Sequence, residues 1–465
     1  MKTGVDLLND PVKSLIPRLS LPVMTAGLLR TSYSFVDMIF ASRLGGLQVA
    51  SVAFVGPLFQ VIQALGFGLI TGGVGLIARS IGEGDKEQAS DYAYQLRSIV
   101  LVIALFISIL GIFFINDVLK ALGIGGDLLQ QTALYTGILI YSIPFAMIIQ
   151  LYMTFYKSQG KMAIITKLAF LGVVGNALLN ALFVLLLNVG VQGLAYATFL
   201  TQVIQSVYIV VDYHRSEHDF YLSLKLTDRV LNFRAWKAIF RTGVPLSLSH
   251  GSTQFGFLLI NALIAPYGYQ VVAAFAIGNQ INSIFYSPAT GIGQAMIPLI
   301  AQNWGKKAVH RIRETIRYGM LFALVFGLAG AVCILMLREP LGMFLSKGDI
   351  SILAHVKIYS GLMAWALIAW SIFQSLSGIF NGFQRTELTL GINLLRLWGL
   401  RIPGILLFRF FLPSLEAYGV WYTMFASNMI AVLGAVLLYL YCIPPYLRKK
   451  EVCSTSGNVL QENEI

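Results

Sequence analysis

The chain has 465 residues, 57% of them hydrophobic and 12% charged, with a formal net charge of +12. That is about half the charge of a soluble domain, and apolar runs of roughly 20 residues or more recur, which together exclude a soluble globular protein. The lack of strand-period alternation argues against a β-barrel. Cys333, Cys442 and Cys453 are too scattered for a disulfide framework or a metal site.

Twelve spans are predicted, near residues 17–42, 48–79, 97–116, 130–157, 164–188, 190–212, 238–264, 272–304, 316–338, 355–383, 387–411 and 418–443. Met1 to Leu15, ahead of them, lacks the basic start and small-residue cleavage site of a signal peptide. The first span holds Asp37, in Ser34-Phe-Val-Asp-Met-Ile-Phe40, the only acidic residue deep inside an apolar run. A carboxylate at that depth costs about 2.5–3.5 kcal/mol on insertion scales, so it is expected to pair, titrate or hold a cation. Arg30, seven residues earlier, is its main candidate for a fixed salt bridge. The second span carries Gly66, Gly68, Gly72, Gly73 and Gly75, which read as sites of close helix packing.

Asn176 and Asn180 in the fifth span are four apart and share a helix face. Counting about 1.5 Å per residue from the nearer span end, Asp37, Asn180 and Thr198 lie at similar depth, with Asn176 one turn deeper. Their carboxylate, amide and hydroxyl oxygens suit a small cation and would equally bond a protonated Asp37. In the seventh span, His250 reads as a packing histidine. Arg396 and Arg401, in the eleventh, are five apart and fall on different faces of an α-helix.

Between the sixth and seventh spans runs a polar connector, so the organisation reads as a six-helix lobe over 1–222, a second over 223–445, and a polar tail over 446–465. The halves repeat. Pro22 and Gly45 recur as Pro245 and Gly268, Leu76-Ile-Ala78…Gly82 as Leu299-Ile-Ala301…Gly305, and Gly193…Tyr196 as Gly419…Tyr422, at an offset of about 222–226 residues. The fold class is therefore an all-α integral membrane protein with twelve transmembrane helices in two pseudo-symmetric six-helix lobes, an architecture suited to rocking alternating access. Lys and Arg concentrate in the connector (Arg215, Lys225, Arg229, Arg234, Lys237, Arg241), around Lys306, Lys307, Arg311 and Arg313, and in the tail at Arg448, Lys449 and Lys450. This asymmetry predicts a multi-pass inner (plasma) membrane protein with both termini cytoplasmic; nucleic acid is not expected as a partner.

Several segments together resemble the multidrug and toxic compound extrusion (MATE) family. They are Asp37 followed by Arg43-Leu-Gly45, Gly75-Leu-Ile-Ala-Arg-Ser-Ile-Gly82, Gly175-Asn-Ala-Leu-Leu-Asn180, Gly190-Val-Gln-Gly-Leu-Ala-Tyr-Ala-Thr198 and Gly382-Phe-Gln-Arg-Thr386. The DinF-like prokaryotic branch looks most similar. The resemblance implies a secondary antiporter, not an enzyme, that exports amphiphilic, often cationic compounds, driven by H+ or Na+ and without a cofactor. It implies a cation-coupling site at Asp37, Asn176, Asn180 and Thr198, with Asp37 and Asn180 as metal ligands if the ion is Na+. Many relatives carry Asp at the position of Asn180, which leaves the coupling ion open. Arg30, Gln254, His250, Arg396 and Arg401 are candidate cavity-lining residues. The bilayer and a small amphiphilic substrate are the expected partners, and a monomer the expected functional unit. The alternative is a flippase for lipid-linked oligosaccharides or lipids, which would need a cationic cavity built from Arg30, Arg396 and Arg401.

Overall fold

The computed structural model describes residues 5–121, 124–216, 218, 231–412 and 415–455, and these form helices and no strands. The 222/223 lobe boundary and the end of the tail lie outside the described residues. The twelve predicted spans each correspond to one helical unit: α1 (Val12–Leu44), α2 (Gly46–Glu83), α3 (Lys86–Ala121), α4 (Gly126–Ile140 and Ile143–Ser158), α5 (Ala163–Asn180, continued by Ala181–Leu186), α6 (Val191–Arg215), α7 (Phe233–Ile264), α8 (Tyr269–Gly305), α9 (Val309–Leu345), α10 (Ile350–Gly382), α11 (Thr386–Leu394, Leu395–Arg401 and Ile402–Phe411) and α12 (Glu416–Thr455). α12 runs past residue 445, so the first part of the expected tail is helix.

Among the described residues nine helices are long and apolar enough on their own to cross a membrane, and α4, bent by 44° at its break, makes a tenth. α1 and α7 complete the twelve. They have the length, 33 and 32 residues, but carry polar side chains along it: Thr25, Arg30, Thr31 and Asp37 on one, Ser249, His250, Ser252 and Gln254 on the other. The two polar spans occupy equivalent places in the two halves.

The lobes meet where α1 and α2 pack on α7 and α8. Glycine makes this possible, since helices in lipid gain from close backbone contact. A Cβ on Gly68 would lie 2.0 Å from Ser247 N, one on Gly72 would lie 2.8 Å from the Gly243 Cα, and one on Gly27 would lie 3.1 Å from Ser287 Oγ. Gly66 and Gly73 instead admit Met147 and Leu96 within the first lobe. The sequence repeat has its own contact. A Cβ on Gly82 would meet Gln302 O at 2.0 Å, and one on Gly305 would meet Arg79 O at 2.3 Å. Those two contacts are the same contact seen from either side of the pseudo-two-fold.

Segments near both ends of the described chain lie at this closed face. Leu7 O accepts hydrogen bonds from Asn303 Nδ2 and Arg311 Nη2, both at 3.1 Å, and Tyr446 packs on the Trp304 ring at 4.7 Å. Cross-lobe hydrogen bonds continue inward through Gln302 to Ser158 O and Lys157 to Gln294. Toward the opposite face close contacts thin out: Gly46, Gly56 and Gly251 have no atom within 4 Å of a built Cβ, Arg30 and His250 are exposed, and Gln60 and Gln254 still meet across the lobes. This leaves a cleft on the side away from Leu7 and Tyr446.

Candidate functional site

Asp37 is held from α1 against α5. Its Oδ1 accepts from Asn180 Nδ2 at 2.8 Å, and the same amide nitrogen donates to Asn176 Oδ1 at 2.9 Å. Asn176 Nδ2 in turn donates to Thr198 Oγ1 on α6 at 3.4 Å. Asn176 and Asn180 are fully buried, and Asp37 is half-buried. Both hydrogens of the Asn180 amide are thereby engaged, whereas its Oδ1 is buried without a hydrogen-bond partner. An amide hydrogen bond to a charged carboxylate contributes about 1.5–3 kcal/mol, enough to hold the side chain in place. The four residues named for this cluster from the sequence are brought together, as their depths required.

Two tyrosines join them. The Tyr33 hydroxyl lies beside Asn176 and Thr198, and Tyr135 on α4 faces Asp37 and Tyr33. Tyr33 stands four residues before Asp37, on the same helix face, and that spacing could have identified it. Tyr135, from a different span, carries no such signal. A π-helix, Ala181–Leu186, begins at the residue after Asn180, and such bulges often accompany functional sites.

Arg30 does not pair with Asp37. Among the described residues it has no ion pair or hydrogen bond, and its side chain is exposed on the cleft side of α1. His250 also reaches the cleft, with its ring 4.9 Å from that of Phe67. Gln254 Nε2 donates to Gln60 Oε1 across the lobes. These three candidates are thus placed along α1 and α7 at the cleft.

Arg396 and Arg401 are elsewhere, buried within the second lobe at 5% and 2% exposure. The π-helix Leu395–Arg401 overturns the expectation that they face apart, since i→i+5 bonding makes residues five apart neighbours. Both donate to Asn428 Oδ1, Arg396 Nη1 at 3.3 Å and Arg401 Nη2 at 2.8 Å. Arg401 Nε also bonds Ser427 Oγ, and the Arg396 guanidinium lies over the Trp370 ring at 4.8 Å.

The chemistry available around Asp37 is one carboxylate, one unused amide oxygen and hydroxyls, a hard-oxygen set for a small monovalent cation. Among the described residues no group of three or more His, Cys, Asp or Glu side chains could hold a metal ion.

The MatE family model matches residues 22–182 and 245–407, one match in each lobe. A probable multidrug resistance protein of Bacillus subtilis, YoeA, is 24% identical over 430 residues, covering 89% of this chain and 91% of that protein. A FAD transporter of Shewanella oneidensis is 24% identical over 413 residues, 87% of this chain and 89% of its own length. An outward-facing multidrug resistance MATE transporter of the MOP superfamily superposes with a TM-score of 0.90 at 24% identity, over 97% of this chain and 99% of that one. With the family pattern present once in each six-helix lobe, this chain belongs to the MatE family of multidrug efflux transporters, and it is a membrane transporter rather than an enzyme.

Proposed function

We propose that the protein is a cation-coupled secondary antiporter that binds H+ or Na+ at Asp37 and exports small amphiphilic organic compounds by rocking the two lobes about their glycine contacts. The observation that carries this reading is the Asp37–Asn180 pair: a carboxylate at membrane depth held at 2.8 Å by an amide whose own oxygen is buried and unused. With Asp37 ionised, the amide offers its N–H. A proton or sodium ion at Asp37 reverses the preference, and a half-turn of the amide would then present Oδ1 in place of Nδ2. That turn breaks the bond to Asn176, so cation binding would reach α5, α6 and the π-helix that starts beside Asn180.

The sidedness follows from charge. Lys306, Lys307, Arg311 and Arg313 lie at the face where Leu7 and Tyr446 pack, and the opposite side offers Arg43, Lys120, Arg338, Lys347, Arg409 and Lys357, the last paired with Glu339. By the positive-inside rule the terminal face is cytoplasmic, the cleft opens outward, and the host bilayer is the cell's inner membrane. A lipid-pyrophosphate flippase would need Arg396 and Arg401 at the cleft, and both are buried away from it.

The test is efflux from proteoliposomes loaded with an amphiphilic dye, under an imposed pH gradient in one arm and a sodium gradient in the other. Wild type responds to one of the two, and Asp37→Asn responds to neither. Full cation-driven efflux by Asp37→Asn would sink the proposal.

A further inference from the structure

The floor of the outward cleft is set by the helix crossings. Just above the Gly27–Ser287 contact, by three residues on α1, comes Arg30. Above the Gly68–Ser247 contact, again by three residues on α7, comes His250, with Phe67 against its ring. Gln60 and Gln254 stand one further turn toward the mouth. A molecule resting on this floor therefore meets one exposed guanidinium, neutral polar groups and an aromatic face.

Lys157 adds a second cation from beneath. It stands next to the last residue of α4, where a lysine would ordinarily extend its ammonium to the water at the membrane surface. It extends inward instead. Its Nζ donates to Gln294 Oε1 at 2.8 Å, two turns deeper along α8 than Gln302, which caps Ser158 O. Lys157 is 8% exposed, and basic groups buried at membrane depth mark substrate or ion pathways.

Among the described residues no carboxylate answers them. Asp37 is bound by Asn180, and neither Arg30 nor Lys157 takes part in an ion pair there. The other described acidic residues of the first half, Asp6, Asp10, Glu83, Asp85, Glu87, Asp91, Asp117, Asp127 and Asp212, stand at or near helix ends. α7 and α8, which complete the floor, contain no acidic residue.

We propose that the central cleft accepts amphiphilic organic anions, with an aromatic body against Phe67 and His250 and a carboxylate, sulfonate or phosphate group on Arg30, and with Lys157 holding the same charge when the lobes rock the other way. This rests on the transporter reading above and reverses the substrate polarity that the family resemblance suggests. Arg30 is the specificity-determining residue, because it is the cation that the open cleft exposes.

The experiment measures binding, not transport, so that a failure of cation coupling cannot be mistaken for a failure of this idea. Purified full-length protein in detergent is titrated with riboflavin 5′-phosphate, with riboflavin, and with ethidium as an aromatic cation, reading fluorescence. Wild type is expected to bind the phosphate ester at least ten-fold more tightly than riboflavin, and ethidium more weakly than either. Arg30→Gln should bring the ratio of phosphate ester to riboflavin close to one, while Arg30→Lys keeps part of it. Arg30→Lys also guards against misfolding, together with an unchanged size-exclusion profile. A wild type that binds ethidium more tightly, shows no phosphate preference, or binds none of the three overturns the proposal, as does an Arg30→Gln variant with the wild-type ratio.

Discussion

Replacing Gly82 by alanine tests whether the sequence repeat is the joint on which the lobes move. The added methyl carbon would lie 2.0 Å from Gln302 O, and ordinary contact begins at 3.4 Å. The obstacle is backbone, so no side chain can swing aside, and α2 and α8 must separate by about 1.4 Å. Overpacking of this kind costs about 1–3 kcal/mol. Because the strain exists only while this crossing is closed, it disfavours the conformation described above against its alternative. At about 1.4 kcal/mol per factor of ten, the population ratio should move by roughly 5- to 150-fold. Gly305→Ala, 2.3 Å from Arg79 O, should act in the same sense, and the double variant should fall short of the sum because one separation relieves both clashes. Gly434→Ala on α12, with open space around a built Cβ, is the control and should be neutral or slightly stabilising. Spin labels near the Glu83 end of α2 and the Gly305 end of α8 would report the separation by pulsed electron resonance. A Gly82→Ala protein with the wild-type distance distribution would refute the reasoning.

Asn180→Ala removes the donor to Asp37 and the bond to Asn176, and should lower unfolding stability in detergent by about 3 kcal/mol; a loss below about 0.5 kcal/mol would mean the pair contributes little. Asn428→Ala strips Arg396 and Arg401 of their shared acceptor and should destabilise by about 2–4 kcal/mol. Asn428→Asp, which puts a carboxylate between two buried guanidiniums, should unfold later than wild type, and earlier unfolding would contradict the uncompensated-charge argument. His218, in the connector, stacks on Tyr213 at 3.8 Å, and burial, then the nearby Lys161 charge, push its pKa down to about 4. A base whose folded pKa lies below its unfolded value of about 6.5 keeps full stability above that value and loses it progressively as pH falls toward 4. Hydrogen exchange around residues 211–216 should therefore quicken between pH 6.5 and 4, and His218→Asn should remove that dependence.

The spans were legible because hydrophobic runs long enough to cross a bilayer have few other uses, and the cluster at Asp37 was legible because depth along a helix can be counted. What escaped depends on contacts between helices. The break at Tyr141-Ser142 lies just before Pro144, a residue able to kink its span, but the 44° bend itself depends on packing that hydropathy does not register. The two π-helices follow from packing, and without the second of them the spacing of Arg396 and Arg401 points the wrong way. Leu447-Arg-Lys-Lys-Glu451 reads as the start of a polar tail, yet leucine, arginine, lysine and glutamate are good helix formers, and α12 continues through them. Tyr135 was out of reach because its partners are on another span.

Duplication has left the joints of this transporter alike and its interiors unlike. Gly82 and Gly305 meet each other's helices in the same way, but the residue equivalent to Asp37 is Ile260, fully buried and apolar. Where the first lobe holds a carboxylate, the second holds two guanidiniums, and its described acidic residues, Glu314, Glu339, Asp349, Glu387 and Glu416, stand at or near helix ends. Under the proposed coupling, a single carboxylate at membrane depth would make one monovalent cation per cycle the coupling unit. If that cation enters as a singly charged organic anion leaves, both movements carry positive charge inward, and a membrane potential drives them with about 4.6 kcal/mol per 100 mV. Exchange for an organic cation would move no net charge and gain nothing from the potential. The polarity of Arg30 and the solitude of Asp37 therefore bear on the same quantity: the electrical driving force of the cycle is set by which charges the two lobes lack as much as by those they hold.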